Sequence, residues 1–433
     1  MTDISRRKLF GAAGAASLGL AGMVPVASAS ECGKPVKWNE TKEFVIIGTG
    51  FAGLAAALEA HQGGMKADQI LILEKMSFPG GNSVINGGAV AAAGTDMQKA
   101  EGIKDSPDLL YADIIKAGGG LAHPELARHI ADESVENFYW LRDKIGVKFK
   151  AVTYHGGHSV KRSHAVESNS GAGFILPMLE RLKEVGIKPQ LRTKVEQLIV
   201  NDKGCVEGVK ARTGYTFGKE ESGKVVYIRA TKGVVLCYGG FSADVKFRMF
   251  QDPKLDGSLD TTNQPGATSE LWRETMAIGC LQVQDDWIQC GPWTSPREKG
   301  MGIGWQFSQT AAAEYGLWVN SDGKRFVNEL ANRKVRADAI MVEGTAGKKC
   351  FAICNEANVA PLKKQRPGFL ERMLERKIVE KYDTLDELAK VGYDPELRRP
   401  STAPRYPESD RRSARRCAPR RTVSGWRHHQ GRA

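Results

Sequence analysis

Three glycines with the spacing G-x-G-x-x-G separate two apolar stretches of the chain. Residues 42–47 have the apolar pattern of a buried parallel strand, and the helix predicted after the glycines runs through His61. Gly48 permits a tight turn, Gly50 lets a phosphate approach the backbone, and Gly53 allows the helix to pack closely on the strand. The N–H groups at the start of such a helix face a negative charge favourably. The spacing therefore predicts a turn that holds the pyrophosphate of a dinucleotide.

A second predicted strand ends in an acidic residue. Residues 69–73 form this strand, which is apolar from residue 70 onward, and Glu74 follows it, 24 residues beyond Gly50. A carboxylate at this place can accept hydrogen bonds from ribose hydroxyls. The glycine triplet alone would fit any glycine-rich turn. The order of strand, triplet, helix, strand and acid is more specific, and it predicts a doubly wound, Rossmann-like α/β domain.

Two pairs of glycines follow Glu74. The segment from Glu74 to Ser83 has the pattern E-K-x-x-x-x-G-G-N-S, and Gly87-Gly88 come shortly after it. Glycine pairs beside small polar groups suit the close passage of an extended, hydrogen-bonding cofactor, although they also fit two ordinary turns. The segment resembles the E-K-x-x-x-x-G-G-N-[ST] motif of the soluble fumarate reductase and flavocytochrome c flavoprotein family, which is related to the succinate dehydrogenase flavoprotein subunit. The resemblance implies FAD as the cofactor.

Four later segments extend the resemblance, which spans roughly residues 40–397. Residues 157–164 are similar to the family's G-x-S-V-x-R-S-H segment, and residues 191–198 resemble the segment whose valine backbone meets the adenine. Residues 232–241 match a strand that ends in A-T-G-G-F, and residues 262–268 match T-N-x-P-G-A-T, here followed by Ser-Glu-Leu in place of G-D-G. The cofactor-binding residues that the glycine pattern and the resemblance imply are Gly48, Gly50, Phe51, Ala52, Gly53, Glu74, Lys75, Gly81, Asn82, Ser83, Gly87, Gly88, Val195, Gly239 and Gly240.

The best catalytic candidate lies in a later part of the sequence. Residues 318–329 read as a hairpin with Ser-Asp-Gly at its turn, and they resemble the family's V-N-x-x-G-K-R-F-V-N-E segment. Arg333 stands four residues beyond Glu329, at the position of the arginine that protonates substrate in this family. Because the pKa of arginine is above 12, such an acid needs a proton relay and desolvation, which Glu329 and Arg336 could help to supply. The alternative is an arginine on a solvated helix face.

The expected substrate site departs from the family pattern. Gly291 occupies the place of a substrate-binding histidine in a Q-x-H-P-T segment, and no histidine lies between His164 and His428. Ser308 and Gln309 stand where the family has a Thr-Glu pair that binds a substrate carboxylate. Trp293 and Trp305 suggest a pocket for a larger, flatter acid, although two tryptophans are more often packing residues. Cys350 and Cys354 lack the further ligands of a metal site, so no metal is expected.

The basic charge of the protein is concentrated at its two ends. The formal net charge is +12, of which residues 1–29 carry +2 and residues 398–433 carry +9, leaving +1 for the rest. This distribution argues against nucleic acid as a partner. Arg6-Arg7 precede an apolar stretch and an A-x-A sequence at 27–29, which resembles a twin-arginine export signal. The resemblance implies handling by the twin-arginine export machinery and a periplasmic location; a disordered terminus or a membrane anchor are the alternatives.

The last segment has a different composition. Residues 398–433 contain eleven arginines and no lysine, and they show no strand or helix pattern, so we expect them to be disordered. We interpret them as the result of a truncation or frameshift near Leu397; a functional basic tail is the alternative. The domains expected are a signal peptide (1–29), a linker (30–39), an FAD-binding domain (40–288), an incomplete α+β capping domain (289–397) and the tail (398–433).

These residues together predict an FAD-dependent periplasmic oxidoreductase. By the resemblance it reduces the C=C bond of a fumarate-like α,β-unsaturated carboxylate, with hydride from flavin N5 and a proton from Arg333. The sequence contains no C-x-x-C-H haem attachment site, so the electrons would come from a separate cytochrome or another donor. The first alternative is a flavin dehydrogenase or oxidase with another substrate, in which Arg333 is only structural. The second is a non-catalytic FAD-binding remnant.

Overall fold

The computed structural model describes residues 36–292 and 294–392. The predicted export signal, Trp293 and the Arg/Pro-rich tail lie outside these residues. Within them, no helix is long and apolar enough to cross a membrane. The strands are β1 (Glu40–Ile47), β2 (Ile70–Leu73), β3 (Ala89–Ala91), β4 (Phe149–Thr153), β5 (Ser163–Val166), β6 (Thr193–Val200), β7 (Val206–Thr213), β8 (Lys224–Leu236), β9 (Leu317–Asn320) and β10 (Cys350–Ile353). The α-helices are α1 (Phe51–Gln62), α2 (Gly81–Ile85), α3 (Asp96–Ala100), α4 (Pro107–Ala117), α5 (Pro124–Tyr139), α6 (Ala172–Glu184), α7 (Val245–Gln251), α8 (Glu270–Ala277), α9 (Arg333–Thr345), α10 (Ala360–Gln365), α11 (Phe369–Glu375) and α12 (Leu385–Gly392).

The main sheet has the strand order β2-β1-β8-β7-β6. Strand β1 pairs in parallel with both β2 and β8, so that Val45 lies between Leu71 and Val234. Strands β7 and β6 continue the sheet with antiparallel pairing. The apolar runs of β1 and β2 are typical of parallel strands that are covered on both faces. The antiparallel extension is a feature that the glycine pattern does not predict.

Helices and apolar clusters cover both faces of this sheet. On one face, Leu54 of α1 and Met178 of α6 pack with Ile46 and Ile72. On the other face, Val45 and its neighbours pack with residues of β6 to β8 and with Leu271 of α8. A sheet with a parallel centre and helices packed on both faces confirms the predicted α/β, Rossmann-like fold.

A smaller sheet, with the order β3-β5-β4, leads away from the main sheet. A fully buried arginine anchors the segment that connects β4 to β5. Arg162 donates to Asp105 through Nε (3.1 Å) and Nη2 (2.9 Å), and to Asp113 through Nη1 (2.7 Å). The side chains of Arg162 and Asp105 are both 0% exposed. Breaking such a buried pair leaves a charge without its partner, so this connection is held firmly in place.

The later part of the described chain contains the two-stranded sheet β10-β9, helices α9 to α12 and a π-helical segment, Phe307–Ala313. The predicted hairpin over residues 318–329 is only half right. The turn is present, with Gly323 N donating to Asn320 O at 2.9 Å, but the returning strand is reduced to one bridge between Val319 and Arg325. The reason is that the Glu329 side chain, rather than a strand, accepts from Trp318 N at 2.8 Å. Strand β9 pairs instead with β10.

Candidate functional site

A cleft of about 350 Å³, open to solvent, lies at the carboxyl ends of the parallel strands. Ligands of doubly wound sheets bind at this edge. The first predicted residues that line the cleft are Gly48, Gly50, Phe51, Ala52, Glu74 and Lys75. The others are Gly81, Asn82, Ser83, Val195, Gly239 and Gly240. The fold therefore brings together residues that are spread over almost two hundred positions of the sequence.

The glycine turn leaves no room for side chains. Gly48 has a φ of +108°, and a Cβ atom at this position would lie 2.2 Å from the carbonyl oxygen of Cys237. A Cβ atom on Gly53 would lie 1.9 Å from the carbonyl oxygen of Gly48. Gly53 is not among the residues that line the cleft. It contributes to the site by letting α1 pack closely against the turn.

Ser83 stands at the N-terminus of α1. Its Oγ accepts a hydrogen bond from Phe51 N at 3.1 Å, and a Cβ atom on Gly50 would lie 3.0 Å from this oxygen. A helix N-terminus of this kind attracts anions, because its first N–H groups have no partner within the helix. The hydroxyl of Ser83 thus marks the place where a phosphate oxygen would be held.

Glu74 has a larger structural role than the sequence predicts. Its Oε2 accepts from Thr49 N (3.2 Å) and Thr49 Oγ1 (2.5 Å), and its Oε1 accepts from Met76 N (2.9 Å). Thr49 Oγ1 in turn accepts from Gly80 N at 2.9 Å. Glu74 and Thr49 therefore hold the glycine turn next to Gly80, the first residue of the Gly80-Gly81 pair. A carboxylate has about four acceptor positions, so one remains for a ribose hydroxyl.

One wall of the cleft is lined by Lys75, which the sequence predicts, and by Lys194 and Glu270, which it does not. Lys75 Nζ lies 3.5 Å from Glu270 Oε2, and Lys194 Nζ lies 3.8 Å from Glu270 Oε1. Burial lowers the pKa of Lys75, and the charge of Glu270 opposes that shift. Burial alone would raise the pKa of Glu270, but Lys75, a hydrogen bond with Thr268 and Lys194 together lower it. The only hint in the sequence is the Ser-Glu-Leu that replaces G-D-G.

The second glycine pair is not part of the cleft lining. A Cβ atom on Gly88, whose φ is +71°, would lie 2.5 Å from Ser170 N, whereas Gly87 has open space beside it. Asn86 Oδ1 accepts from Gly88 N at 2.6 Å. Gly88 thus lets this turn pack against the residues that precede α6.

The cleft fits FAD. Gly239 and Gly240 have no atom within 4 Å of the place of a Cβ, so the floor beside the turn is open. Gln264 lines the cleft and is only 7% exposed, and its buried Nε2 has no hydrogen-bond partner among the described residues. The backbone N of Gln264 donates to Asn82 Oδ1 at 2.7 Å, which fixes Gln264 beside the segment from Glu74 to Ser83. An extended cofactor with phosphate and hydroxyl groups suits this open, polar and glycine-lined cradle.

Arg333 is the first residue of α9. The helix is capped by Asn332, whose Oδ1 accepts from Val335 N at 3.0 Å. Surrounding protein lowers the pKa of Arg333 by desolvation, although part of its surface remains exposed. Its charge also lowers the pKa of Arg336 and of His155. His155 lies on a loop of the FAD-binding part of the chain, and sequence reasoning did not single it out.

Glu329 and Arg336 are both buried, but they are arranged differently from the expected relay. The carboxylate of Glu329 is held by Arg325, with Nη2 at 2.6 Å from Oε2, and by Trp318 N. Burial alone would raise the pKa of Glu329, but the hydrogen bonds from Arg325 and Trp318 lower it. Arg336 Nη1 donates to the backbone oxygen of Glu329 at 3.0 Å. Glu329 therefore supports Arg336 through its backbone.

The two predicted substrate-binding residues lie in the π-helical segment. Ser308 is buried, and its Oγ donates to Trp305 O at 3.2 Å. Gln309 Oε1 accepts from Arg336 Nη1 at 2.9 Å, and its buried Nε2 has no hydrogen-bond partner within the described part of the chain. The structure thus joins Gln309 to Arg336 of α9.

Known proteins with similar sequences and structures agree with this cleft. A family model described as FAD binding domain matches residues 43–419. The acrylate reductase flavoprotein subunit of Shewanella woodyi is 40% identical over 397 residues, which are 89% of this chain and 76% of that protein. Urocanate reductase of Eggerthella lenta is 32% identical over 69% of this chain, which spans only 47% of that protein. The open conformation of a flavocytochrome c3 fumarate reductase matches with a TM-score of 0.66 and 27% identity, over 82% of this chain and 59% of the other.

These findings confirm the family and the cofactor that the sequence motifs implied. The family match covers both the glycine turn and the later cleft residues, and the relatives named above are reductases. The chain therefore belongs to the FAD binding domain family, its cofactor is FAD, and its relatives are flavoprotein reductases of unsaturated carboxylates.

Proposed function

We propose that this protein reduces the C=C bond of a small α,β-unsaturated carboxylate. The observation that carries the proposal is the position of Arg333 at the start of α9, where the preceding residues Leu330 and Ala331 lie next to Gly156 of the FAD-binding part. An acid group at such a junction can reach a substrate held between the two parts of the chain. The similarity to the acrylate reductase flavoprotein subunit over 89% of the chain supports this reading, and it makes acrylate the first substrate to test.

The chemistry needs a hydride, a proton and stabilisation of negative charge. Bound FAD in its reduced form supplies the hydride for the β-carbon. A guanidinium N–H of Arg333 donates the proton to the α-carbon. Desolvation lowers the pKa of Arg333, which makes this ordinarily weak acid a better proton donor. The nearby charge of Arg336, held by Gln309 and by the backbone of Glu329, favours the enolate-like charge that develops.

The proposal extends to the source of the electrons and the place of the reaction. One relative is described as a flavoprotein subunit, which supports a separate electron-donor protein such as a cytochrome. Arg6-Arg7 and the A-x-A sequence at 27–29 support export through the twin-arginine machinery to the periplasm.

The test is anaerobic reoxidation of the reduced protein by a panel of acids. FAD content is first measured from the absorbance of the purified protein and from the flavin released by denaturation. The chemically reduced protein is then mixed with acrylate, fumarate or urocanate. We expect near-stoichiometric FAD and rapid reoxidation by at least one acid, with the saturated acid as product. Bound FAD that none of these acids reoxidises would contradict the proposal and favour a dehydrogenase or a non-catalytic flavoprotein.

A further inference from the structure

The connection between β4 and β5 contains two histidines and faces the start of α9. We refer to residues 154–161 as the histidine loop, because it carries His155 and His158. A Cβ atom on Gly156 would lie 3.8 Å from the carbonyl oxygen of Leu330 and 3.9 Å from that of Ala331. These residues directly precede the cap of α9. The histidine loop therefore lies next to the residues that lead to Arg333, with room for no more than about one methyl group between them at Gly156.

Hydrogen bonds to the side chain of Asp113 hold the histidine loop in position. Ser159 donates to Asp113 Oδ2 through its N (2.8 Å) and its Oγ (2.9 Å). Asp113 also accepts from the fully buried Arg162, which adjoins the loop. Charge-assisted bonds to a buried arginine are among the stronger hydrogen bonds in proteins. The part of the loop that follows His158 is therefore fixed in position.

One ring nitrogen of His155, Nδ1, contacts Ser163, and the other, Nε2, can bind a ligand. Its Nδ1 lies 2.7 Å from Ser163 Oγ, and the residue is exposed on its other side. When the hydroxyl of Ser163 donates to Nδ1, the ring proton is on Nε2, which can donate to a ligand. The Ser163 contact therefore orients the imidazole as a donor.

The charges that act on His155 are positive. Burial of part of the ring lowers its pKa, and His158 of the same loop and Arg333 of α9 lower it further. Burial and Arg162 also lower the pKa of His158, against the opposing charges of Asp113 and Asp105. The buried Nδ1 of His158 has no hydrogen-bond partner among the residues that the structure describes. Convergent basic groups and an unpartnered ring nitrogen are typical of a place that receives an anion.

We propose that His155 and Arg333 bind the carboxylate of the substrate between the histidine loop and α9. This assignment rests on the proposed function, and it supplies the ligand that Gly291 cannot provide. The carboxylate would accept from His155 Nε2 and from the Arg333 guanidinium. Arg333 would then donate its proton to the α-carbon of an acid whose carboxylate it already binds.

The test compares His155→Gln with His129→Gln in the FAD-loaded full chain. His129 lies on the exposed side of α5 and serves as a matched control. The binding of propionate, a saturated acid that cannot react, is followed through the absorbance of the oxidised flavin. We expect His155→Gln to raise the Kd for propionate and the KM for acrylate by about tenfold, with kcat changed much less. His129→Gln should leave both constants at their wild-type values.

The outcomes separate this inference from the proposed function. Unchanged Kd and KM in a His155→Gln variant that retains its FAD would overturn the assignment, and so would a wild-type protein that does not bind propionate. A wild-type protein that binds propionate in a His155-dependent way, but that no unsaturated acid reoxidises, would support the carboxylate site and contradict the proposed reductase activity. If His155→Gln loses FAD, His155→Asn is measured in the same way. In that variant, unchanged propionate binding overturns the assignment, and weakened binding supports it.

Discussion

The substitution Gly53→Ala tests whether the glycine turn is built as the structure shows. The added Cβ atom would lie 1.9 Å from the carbonyl oxygen of Gly48, whereas real Cβ atoms essentially never come closer than 3.0 Å. Because the contacted atom is backbone, α1 would have to move by about 1 Å from the turn, in a tightly packed region. Overpacking of this kind costs about 1–3 kcal/mol or more, and the gain in helix propensity from Gly to Ala returns at most about 1 kcal/mol.

The net expectation is a loss of about 2 kcal/mol in the free energy of unfolding, together with weaker FAD binding. Urea unfolding of the FAD-loaded protein measures the first, and the flavin fluorescence released on dilution measures the second. Gly344→Ala is the control, because this glycine lies inside α9 and has nothing within 4 Å of a Cβ. An unfolding midpoint of Gly53→Ala equal to that of the wild type, with FAD retained, would refute the packing of the turn.

Three further predictions test the cofactor site and its supports. Ser83→Ala removes the hydroxyl that accepts from Phe51 N. We expect the affinity for FAD, measured by titration of the apoprotein, to fall about five- to tenfold. Unchanged affinity would exclude the hydroxyl from the site. Arg162→Met leaves the buried Asp105 without its cation and should lower the free energy of unfolding in urea by about 3–5 kcal/mol; a loss below 1 kcal/mol would contradict the buried pair. Burial lowers the pKa of His164 in the folded protein. As the pH falls, the unfolded chain therefore binds a proton at His164 before the folded chain does. The free energy of unfolding should then decrease as the pH drops below about 6.5. The free energy of unfolding at pH 7 and pH 5.5 checks this, and His164→Asn should show a smaller fall than the wild type.

The cofactor cleft could be predicted because its parts follow from local sequence rules. The glycine triplet needs no tertiary information, since the conformations of Gly48 and the close contact of Gly53 are properties of one strand–turn–helix unit. The resemblance then indicated which distant segments share the cleft. Val195 and Gly239 indeed lie beside the turn in the structure.

The features that escaped prediction depend on contacts between distant residues. Lys75 and Glu270 are 195 positions apart, and no local pattern announces their pairing. The side chain of Glu329 closes the turn after β9, which a period-two pattern cannot distinguish from a returning strand. His155 gains its significance only when the fold brings the residues that precede α9 next to its loop.

The most direct test of the proposed activity is a single-turnover experiment on Arg333. The FAD-loaded protein is reduced without oxygen and mixed with acrylate, and the return of the oxidised flavin absorbance is followed by stopped flow. We expect Arg333→Gln to keep its FAD and to reoxidise at least about 100-fold more slowly than the wild type, as is typical when a general acid is lost. Arg181→Gln, on the exposed face of α6, should match the wild type. Equal reoxidation rates in Arg333→Gln and the wild type would contradict the account.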